Sequence, residues 1–236
     1  MTSTQKTTRS SDISLRKVAI IAGVGLLIMT ITAVFANFAV LESLIVQGDA
    51  IATTNNIIAS EGQFRLGIVS FLIVLILDVV VAWALYIFLQ PVDKNLSLLT
   101  AWFRLIYTAI FGVSLLNLVN VLQLLGGADF LKAIETNQLH AQVMLSIRAF
   151  NDGWDIGFVF FGLHLTLLGY LVFKSGYIPK FLGILLVIAG LGYLIDSFGT
   201  FLSPNYSVEI AIFTFIGELL LMFWLLLKGR RVQQLL

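Results

Sequence analysis

The sequence contains no cysteine and only three prolines, and charged residues make up just 11% of its 236 positions. Without cysteine the chain forms no disulfide, binds no thiolate-held iron–sulfur cluster and has no thiol nucleophile. A soluble domain averages about 25% charged residues, so the low charge excludes an ordinary water-soluble protein. The net charge of +1 gives no indication of a nucleic-acid partner.

Motifs that would identify an enzyme are also missing from the sequence. It has only two histidines, no HExxH zinc motif, no glycine-rich phosphate loop and no recognisable Ser/His/Asp spacing. From the sequence we therefore assign no catalytic residue, no metal ligand and no cofactor.

Apolar residues are what the sequence has in excess: 59% of the positions are hydrophobic and the mean hydropathy is +0.99. A soluble fold of this length has no means of burying so much apolar surface, so the chain is predicted to lie in lipid. We expect a polar, disordered tail at residues 1–12, followed by a single multi-pass membrane domain over residues 13–236.

Six segments have the roughly 20 apolar residues that a helix needs to cross a bilayer. They lie near residues 18–40, 66–89, 98–125, 152–173, 181–202 and 208–227. Pro91 ends the second segment, since proline removes a helical hydrogen bond. The sequence thus predicts an all-α bundle of six transmembrane helices. Its tryptophans mostly fall near predicted helix ends, as interfacial anchors do: Trp83, Trp102, Trp154 and Trp224.

Two features of the segment boundaries need interpretation. The charge-free run at residues 18–41 favours a retained helix over a cleaved signal sequence, with cleavage after Ala36 as the alternative. The connections at residues 41–65 and 126–151 are long but compatible with helix. We expect helical extensions of the second and fourth segments there, or short helices at the membrane surface.

Basic residues in the loops predict the orientation, because cytoplasmic loops carry an excess of Lys and Arg. Arg65, Lys132 and Arg148 fall on the outer side if the N-terminus is cytoplasmic, and Arg104 lies within the membrane. Ten basic residues then fall on the inner side: Lys6, Arg9, Arg16, Lys17, Lys94, Lys174, Lys180, Lys228, Arg230 and Arg231. We predict that both termini are cytoplasmic, that the two long connections face outward, and that the inner basic residues contact anionic lipid.

Ionisable side chains inside the predicted helices point to a site, since each costs at least about 2.5 kcal/mol at the bilayer centre. Four carboxyl groups lie on four different helices, at or outward of the predicted midplane, against one buried arginine. We predict that they line one outward-open pocket, joined by two asparagines of the third helix. The predicted binding residues are Asp78, Arg104, Asn117, Asn120, Asp155, Asp196 and Glu218.

The fourth predicted helix carries the densest pattern of polar and small residues. Arg148, Asp152 and Asp155 share one face at i, i+4 and i+7. Gly153 and Gly157 are spaced to let another helix approach closely. These residues predict a tightly packed, polar outer end for this helix.

Two further spacings carry weaker predictions. Gly192, Asp196 and Gly199 fall on one stripe of the fifth helix, so a neighbouring backbone is expected to come near the Asp196 carboxyl group. Glu61 and Arg65 form an i, i+4 pair in the favourable acid-first order.

Each polar residue also has a purely structural interpretation. Asp78 and Arg104 lie on neighbouring helices and would form an ion pair, although their predicted depths differ by about 9 Å. Arg148 with Asp152 fits a local surface pair better than an anion clamp. His164 points away from Asp155 and fits a hydrogen-bonded interior histidine better than a metal ligand.

Residues 64–107 and 177–196 resemble a known family. The stretches FRLGIVSFLIVLILDVVVAWALYIFLQPVDKNLSLLTAWFRLIY and YIPKFLGILLVIAGLGYLID are similar to bacterial membrane proteins grouped as a domain of unknown function, number four-three-eight-six. The resemblance implies a multi-pass protein of a bacterial inner membrane. It implies no catalytic residue, substrate or cofactor.

Three functional hypotheses stay open at this point. The first is a protein that binds or transports a cation, a proton or a small molecule through the acidic pocket. The second is a non-catalytic sensor, lipid-binding or assembly protein, in which the polar residues only fix the packing of the helices. The third, supported least by the spacing of its histidines, is an intramembrane hydrolase using Asp155, His164 and Asp196.

Overall fold

The computed structural model describes residues 14–129, 133–203, 205–206, 208 and 210–229. This part of the chain is all-helical and contains no strand, which confirms the predicted fold class. The predicted tail at residues 1–12 lies outside the described residues, as do Lys132, Arg230 and Arg231. The helices are α1 (Leu15–Val34), a π-helical segment (Phe35–Leu41), α2 (Glu42–Leu44), α3 (Ala50–Ala59), α4 (Glu61–Leu89), α5 (Lys94–Leu125), α6 (Thr136–Lys174), α7 (Lys180–Leu202), α8 (Ala211–Thr214) and α9 (Ile216–Leu227).

Five helices in the described residues are long and apolar enough to cross a membrane: Leu15–Leu44, α4, α5, α6 and α7. The predicted sixth span is interrupted at Phe215, whose ψ of −11° lies outside the usual helical range. Helix α9 has 12 residues and is about 18 Å long, shorter than the roughly 30 Å hydrocarbon core. The six-helix count is therefore not confirmed.

Both long connections contain helix in their described parts, as predicted. Helix α3 occupies the first one, α4 begins at Glu61, and α6 begins at Thr136, well before the apolar segment that it carries. At the start of α4, Arg65 Nη2 lies 2.6 Å from Glu61 Oε1, so the predicted i, i+4 pair is formed on an exposed surface.

The third predicted span begins four residues earlier than the apolar pattern indicated. The Asp93 carboxyl group accepts a 3.0 Å hydrogen bond from the Leu96 amide and caps α5, which starts at Lys94. Asp78 therefore lies eleven residues from the end of α4, and Arg104 lies ten residues from the start of α5. Their depths differ by about 1.5 Å, so the predicted offset of 9 Å was wrong.

The helices pack as a bundle in which α5 contacts α4 and α6, α6 contacts α7, and α1 contacts α4. Helix α9 fills the gap between α1 and α7. We call the end that carries the connections at residues 45–60, 126–135 and 203–210 the distal end. The connections at residues 90–93 and 175–179 lie at the opposite, proximal end.

Glycine backbones set the spacing between α6 and α7. A Cβ added at Gly190 would lie 2.6 Å from the Gly162 carbonyl oxygen, and one added at Gly183 would lie 2.6 Å from that of Gly169. Only hydrogen fits at these positions, which is how small residues allow close helix approach in membranes. Gly157 plays a similar part against Tyr107 of α5, so the predicted close approach to α6 is confirmed.

Replacing Gly190 with alanine is expected to destabilise the protein by about 1–3 kcal/mol, because the new methyl group would overpack the α6–α7 contact. Thermal unfolding of the purified protein in detergent would measure the change. Gly62→Ala is the matched control, since nothing lies within 4 Å of its added Cβ. A Gly190→Ala protein as stable as Gly62→Ala would contradict the packing described here.

Candidate functional site

A cavity of about 700 Å³ opens inside the bundle, between α1 and α9 on one side and α4, α5, α6 and α7 on the other. Its deepest polar groups belong to Asp78 and Arg104. Toward the distal end it is lined by Glu42, Thr200 and Val208, all of which are exposed. The cavity thus runs from the middle of the bundle to its distal surface.

Asp78 and Arg104 form a buried ion pair at the base of this cavity. Arg104 Nη2 lies 2.6 Å from Asp78 Oδ1, and the two side chains are 2% and 0% exposed. The equal depths of the two residues explain why they meet. Asp78 Oδ2 and Arg104 Nε are buried without a hydrogen-bond partner in the described part of the chain. The pair therefore has one acceptor and one donor still available for a further hydrogen bond.

His164 of α6 also contacts the Arg104 guanidinium group. Its Nδ1 atom lies 2.8 Å from the Thr100 carbonyl oxygen, and its Nε2 atom lies 3.2 Å from Arg104 Nη1. A carbonyl oxygen only accepts and a guanidinium only donates, so Nδ1 carries the proton and Nε2 accepts. His164 is therefore the hydrogen-bonded interior histidine that the sequence favoured, and it has no free ring nitrogen to act as a base.

Asp155 and Glu218 line the same cavity nearer to its distal end. Asp155 is half-buried on α6 and carries no hydrogen bond or ion pair from the described residues. Glu218 lies on α9 beside Tyr193, and its Oε1 atom is buried without a hydrogen-bond partner among the described residues. Both carboxyl groups therefore have spare hydrogen-bonding capacity, and neither takes part in an ion pair within the described part of the chain.

Asp196 lines the cavity but is committed to the fold. Its carboxyl group accepts hydrogen bonds from the Tyr206 hydroxyl group at 2.6 Å and from the backbone amides of Ile210 at 3.0 Å and Ala211 at 2.7 Å. The hydrogen bond donated to Asp196 raises the pKa of Tyr206 to about 12. The predicted approach of a backbone to this carboxyl group is confirmed, and it anchors the connection between α7 and α8.

Several predicted residues do not line the cavity. Asn117 donates to the Ser114 carbonyl oxygen of its own helix at 3.1 Å, and Asn120 donates to Ser146 Oγ of α6 at 2.9 Å. The Asn120 amide therefore joins α5 to α6, whereas the Asn117 amide is bonded within its own helix. The other residues named from the sequence are exposed and lie outside the cavity: Glu61, Arg65, Arg148 and Asp152. No ion pair joins Arg148 to Asp152 in the described structure.

The sequence interpretation missed the aromatic wall of the cavity. Trp154, expected as an interfacial anchor, instead stacks on Phe158 with ring centroids 5.3 Å apart. Phe158 in turn lies 5.0 Å from Tyr193 and 5.9 Å from Tyr107. The signal was present in the spacing of Trp154, Phe158 and Phe161, which is i, i+4, i+7 on one helix face.

Comparisons with known proteins identify a family but no activity. The family model described as Domain of unknown function (DUF4386) matches residues 21–229. An uncharacterized protein of Archaeoglobus fulgidus is 42% identical over 167 residues, which are 71% of this chain and 86% of the relative. No solved structure matches the chain. Because this relative is archaeal, the expected bacterial origin is not confirmed.

Breaking the buried ion pair is expected to destabilise the protein strongly. Asp78→Asn leaves the Arg104 guanidinium without its counter-charge, which costs about 3–5 kcal/mol for a buried pair. The double variant Asp78→Leu with Arg104→Met removes both charges and is expected to cost less than Asp78→Asn. Unfolding by graded denaturant in detergent measures both.

The matched control is Glu61→Gln, which breaks an exposed ion pair and is expected to cost less than about 1 kcal/mol. Equal stabilities of Asp78→Asn and Glu61→Gln would show that the buried pair does not stabilise the bundle.

Proposed function

Since the chain belongs to the family described as Domain of unknown function (DUF4386), whose description assigns no chemistry, we propose from the structure that it is a membrane protein that binds a small positively charged ligand in its intramembrane cavity. Binding alone or transport would both use this site.

The charge of the cavity lining is the observation that carries the proposal. Among the described residues, five carboxyl side chains line it against one guanidinium group, and that group is already paired with Asp78. The acids beyond the pair are Glu42, Asp155, Asp196 and Glu218. A bound cation would offset the cost of placing carboxyl groups in a low-dielectric environment.

Glu218 and Asp155 are the proposed ligand-binding acids. Asp196 is saturated by three hydrogen bonds, and Asp78 is occupied by Arg104. Glu218 has a buried oxygen without a partner among the described residues, which is the kind of group that a ligand satisfies.

A non-catalytic packing role is the second candidate, and the Asp78–Arg104–His164 contacts favour it, because they are internal to the bundle. An intramembrane hydrolase has less support, since both ring nitrogens of His164 are engaged. The two leading candidates differ in what they expect of Glu218: a packing role needs only its hydrogen bond with Tyr193, whereas a binding role needs its second oxygen to contact a ligand.

We also propose that the protein lies in a prokaryotic plasma membrane, with its distal end facing outward and both termini in the cytoplasm. The basic residues of the proximal end would then contact anionic lipid. The excess of Lys and Arg on the proximal side of the chain supports this orientation. The cavity would then open to the outside.

The absence of cysteine makes the orientation directly testable. A cysteine replacing the exposed Ser203 at the distal end is expected to react with a membrane-impermeant maleimide in intact spheroplasts. Asn95→Cys, at the proximal end, is the matched control and is expected to react only after permeabilisation. The opposite labelling pattern would show that the cavity faces the cytoplasm.

Cation binding is tested with Glu218→Gln. Calorimetric titration of the protein in lipid nanodiscs with Na⁺, K⁺ and tetramethylammonium is expected to show binding of at least one of them. Glu218→Gln is expected to weaken that binding at least about tenfold, since removing a cation's counter-charge in a poorly solvated site costs 1.4 kcal/mol or more.

Glu61→Gln is the control for this experiment, because it removes an acid on the exposed surface of α4 and should leave binding unchanged. If none of the three cations binds, or if Glu218→Gln binds as tightly as the unaltered protein, the packing role is the better account of the buried acids.

A further inference from the structure

We infer that the ligand of the cavity is an organic ammonium ion, held between aromatic ring faces and the carboxyl groups of Asp155 and Glu218. This inference rests on the proposed function and narrows it from cations in general to one chemical class. Four properties of the cavity lead to it: its ring faces, the position of its acids, its size and its lateral opening.

Aromatic side chains form a continuous wall over three helices, in which neighbouring rings are stacked or tilted against one another. Phe111 of α5 stacks on Trp154 of α6 at 4.8 Å, and Trp154 stacks on Phe158 at 5.3 Å. Phe158 reaches Tyr193 of α7 at 5.0 Å and Tyr107 of α5 at 5.9 Å. All five rings line the cavity. The face of an aromatic ring attracts a cation, and most strongly one with little hydration, such as an alkylated ammonium.

The cavity already contains one such contact. The guanidinium carbon of Arg104 lies 5.5 Å from the centroid of the Phe161 ring, within the roughly 6 Å range of a cation–π interaction. An aromatic face of this wall therefore accommodates a delocalised organic cation within the protein itself.

The acids flank the aromatic wall at two points. Asp155 follows Trp154 in the chain and lines the same cavity, while Glu218 faces the wall from α9, beside Tyr193. A cation placed against Phe158 would thus have a carboxyl group on either side. Carboxyl groups supply charge and ring faces supply apolar contact, which together match an alkylated ammonium group.

The acids are too dispersed to bind a metal ion instead. Within the described residues, no group of three or more His, Asp or Glu side chains is placed to hold one. The volume of about 700 Å³ also falls within the roughly 300–1,000 Å³ of small-molecule sites. A bare inorganic ion would leave most of this volume unfilled.

The cavity also has an apolar opening toward the side of the bundle. Val34 of α1, Phe38 of the π-helical segment and Phe215 next to α9 line it and are 50%, 55% and 37% exposed. In a membrane this gap would admit the hydrocarbon part of an amphipathic amine. The ammonium group would then lie at the wall and the alkyl part between α1 and α9.

The experiment compares two probes of equal shape. Benzyltrimethylammonium carries a positive nitrogen, and neopentylbenzene has a neutral carbon in its place. Calorimetric titration of the full-length protein in nanodiscs is expected to show benzyltrimethylammonium binding at least about tenfold more tightly than both neopentylbenzene and Na⁺ or K⁺.

Phe158 variants test the aromatic contribution. Phe158→Leu keeps an apolar side chain but loses the ring, and is expected to weaken benzyltrimethylammonium binding about fivefold to tenfold. Phe158→Tyr keeps the aromatic ring and is expected to bind benzyltrimethylammonium as tightly as the unaltered protein. Thermal unfolding of each variant establishes that it is folded, and Trp154→Leu with Trp154→Phe gives a second pair if Phe158→Leu does not fold.

The outcomes separate this inference from the proposed function. Binding of Na⁺ or K⁺ that depends on Glu218, without binding of benzyltrimethylammonium, overturns the inference and leaves the proposed function intact. Equal binding of the two isosteric probes, or equal binding by Phe158→Leu and Phe158→Tyr, also overturns the inference. If no cation binds at all, both fail.

Discussion

The buried pair of Asp78 and Arg104 is the constraint on which the rest of the structure depends. A lone charge in the middle of an apolar bundle would be too costly, so α4 and α5 must bring these two residues to one depth. Asp93 makes this possible by starting α5 early enough for Arg104 to reach the level of Asp78. His164 then fixes the guanidinium from α6, which ties three helices to one point at the base of the cavity.

The acids of the cavity divide into two kinds according to their surroundings. Asp78 and Asp196 are held by contacts within the protein. Asp78 forms an ion pair, although its Oδ2 atom has no hydrogen-bond partner among the described residues, and Asp196 accepts hydrogen bonds from the connection between α7 and α8. Glu218 and Asp155 lie between them with spare capacity. The acids proposed to bind a ligand are therefore not the ones whose contacts hold the helices and their connections in place.

Composition and helical spacing were sufficient to predict the all-α membrane fold, the helical connections and the place of Asp196 beside a neighbouring backbone. They failed where local backbone chemistry overrides hydropathy. The apolar pattern began α5 at the wrong residue because Asp93 and the polar first turn of α5 look like loop. It made the last span continuous, because no charged residue or proline marks the break at Phe215. It also placed Trp154 at an interface, since hydropathy does not tell a ring that faces lipid from one that faces a cavity. The position of Asn117 and Asn120 outside the cavity likewise depends on rotation about the α5 axis, which spacing alone fixes poorly.

The glycine contacts between α6 and α7 have a mechanical consequence. Because glycine Cα atoms of α6 and α7 lie directly against carbonyl oxygens of the other helix, the two helices have no room to slide or rotate against each other. They therefore form one rigid unit. This rigid pair of helices carries Trp154, Phe158 and Tyr193. Widening or narrowing of the cavity would therefore depend on its other helices and not on a change in the contact between α6 and α7.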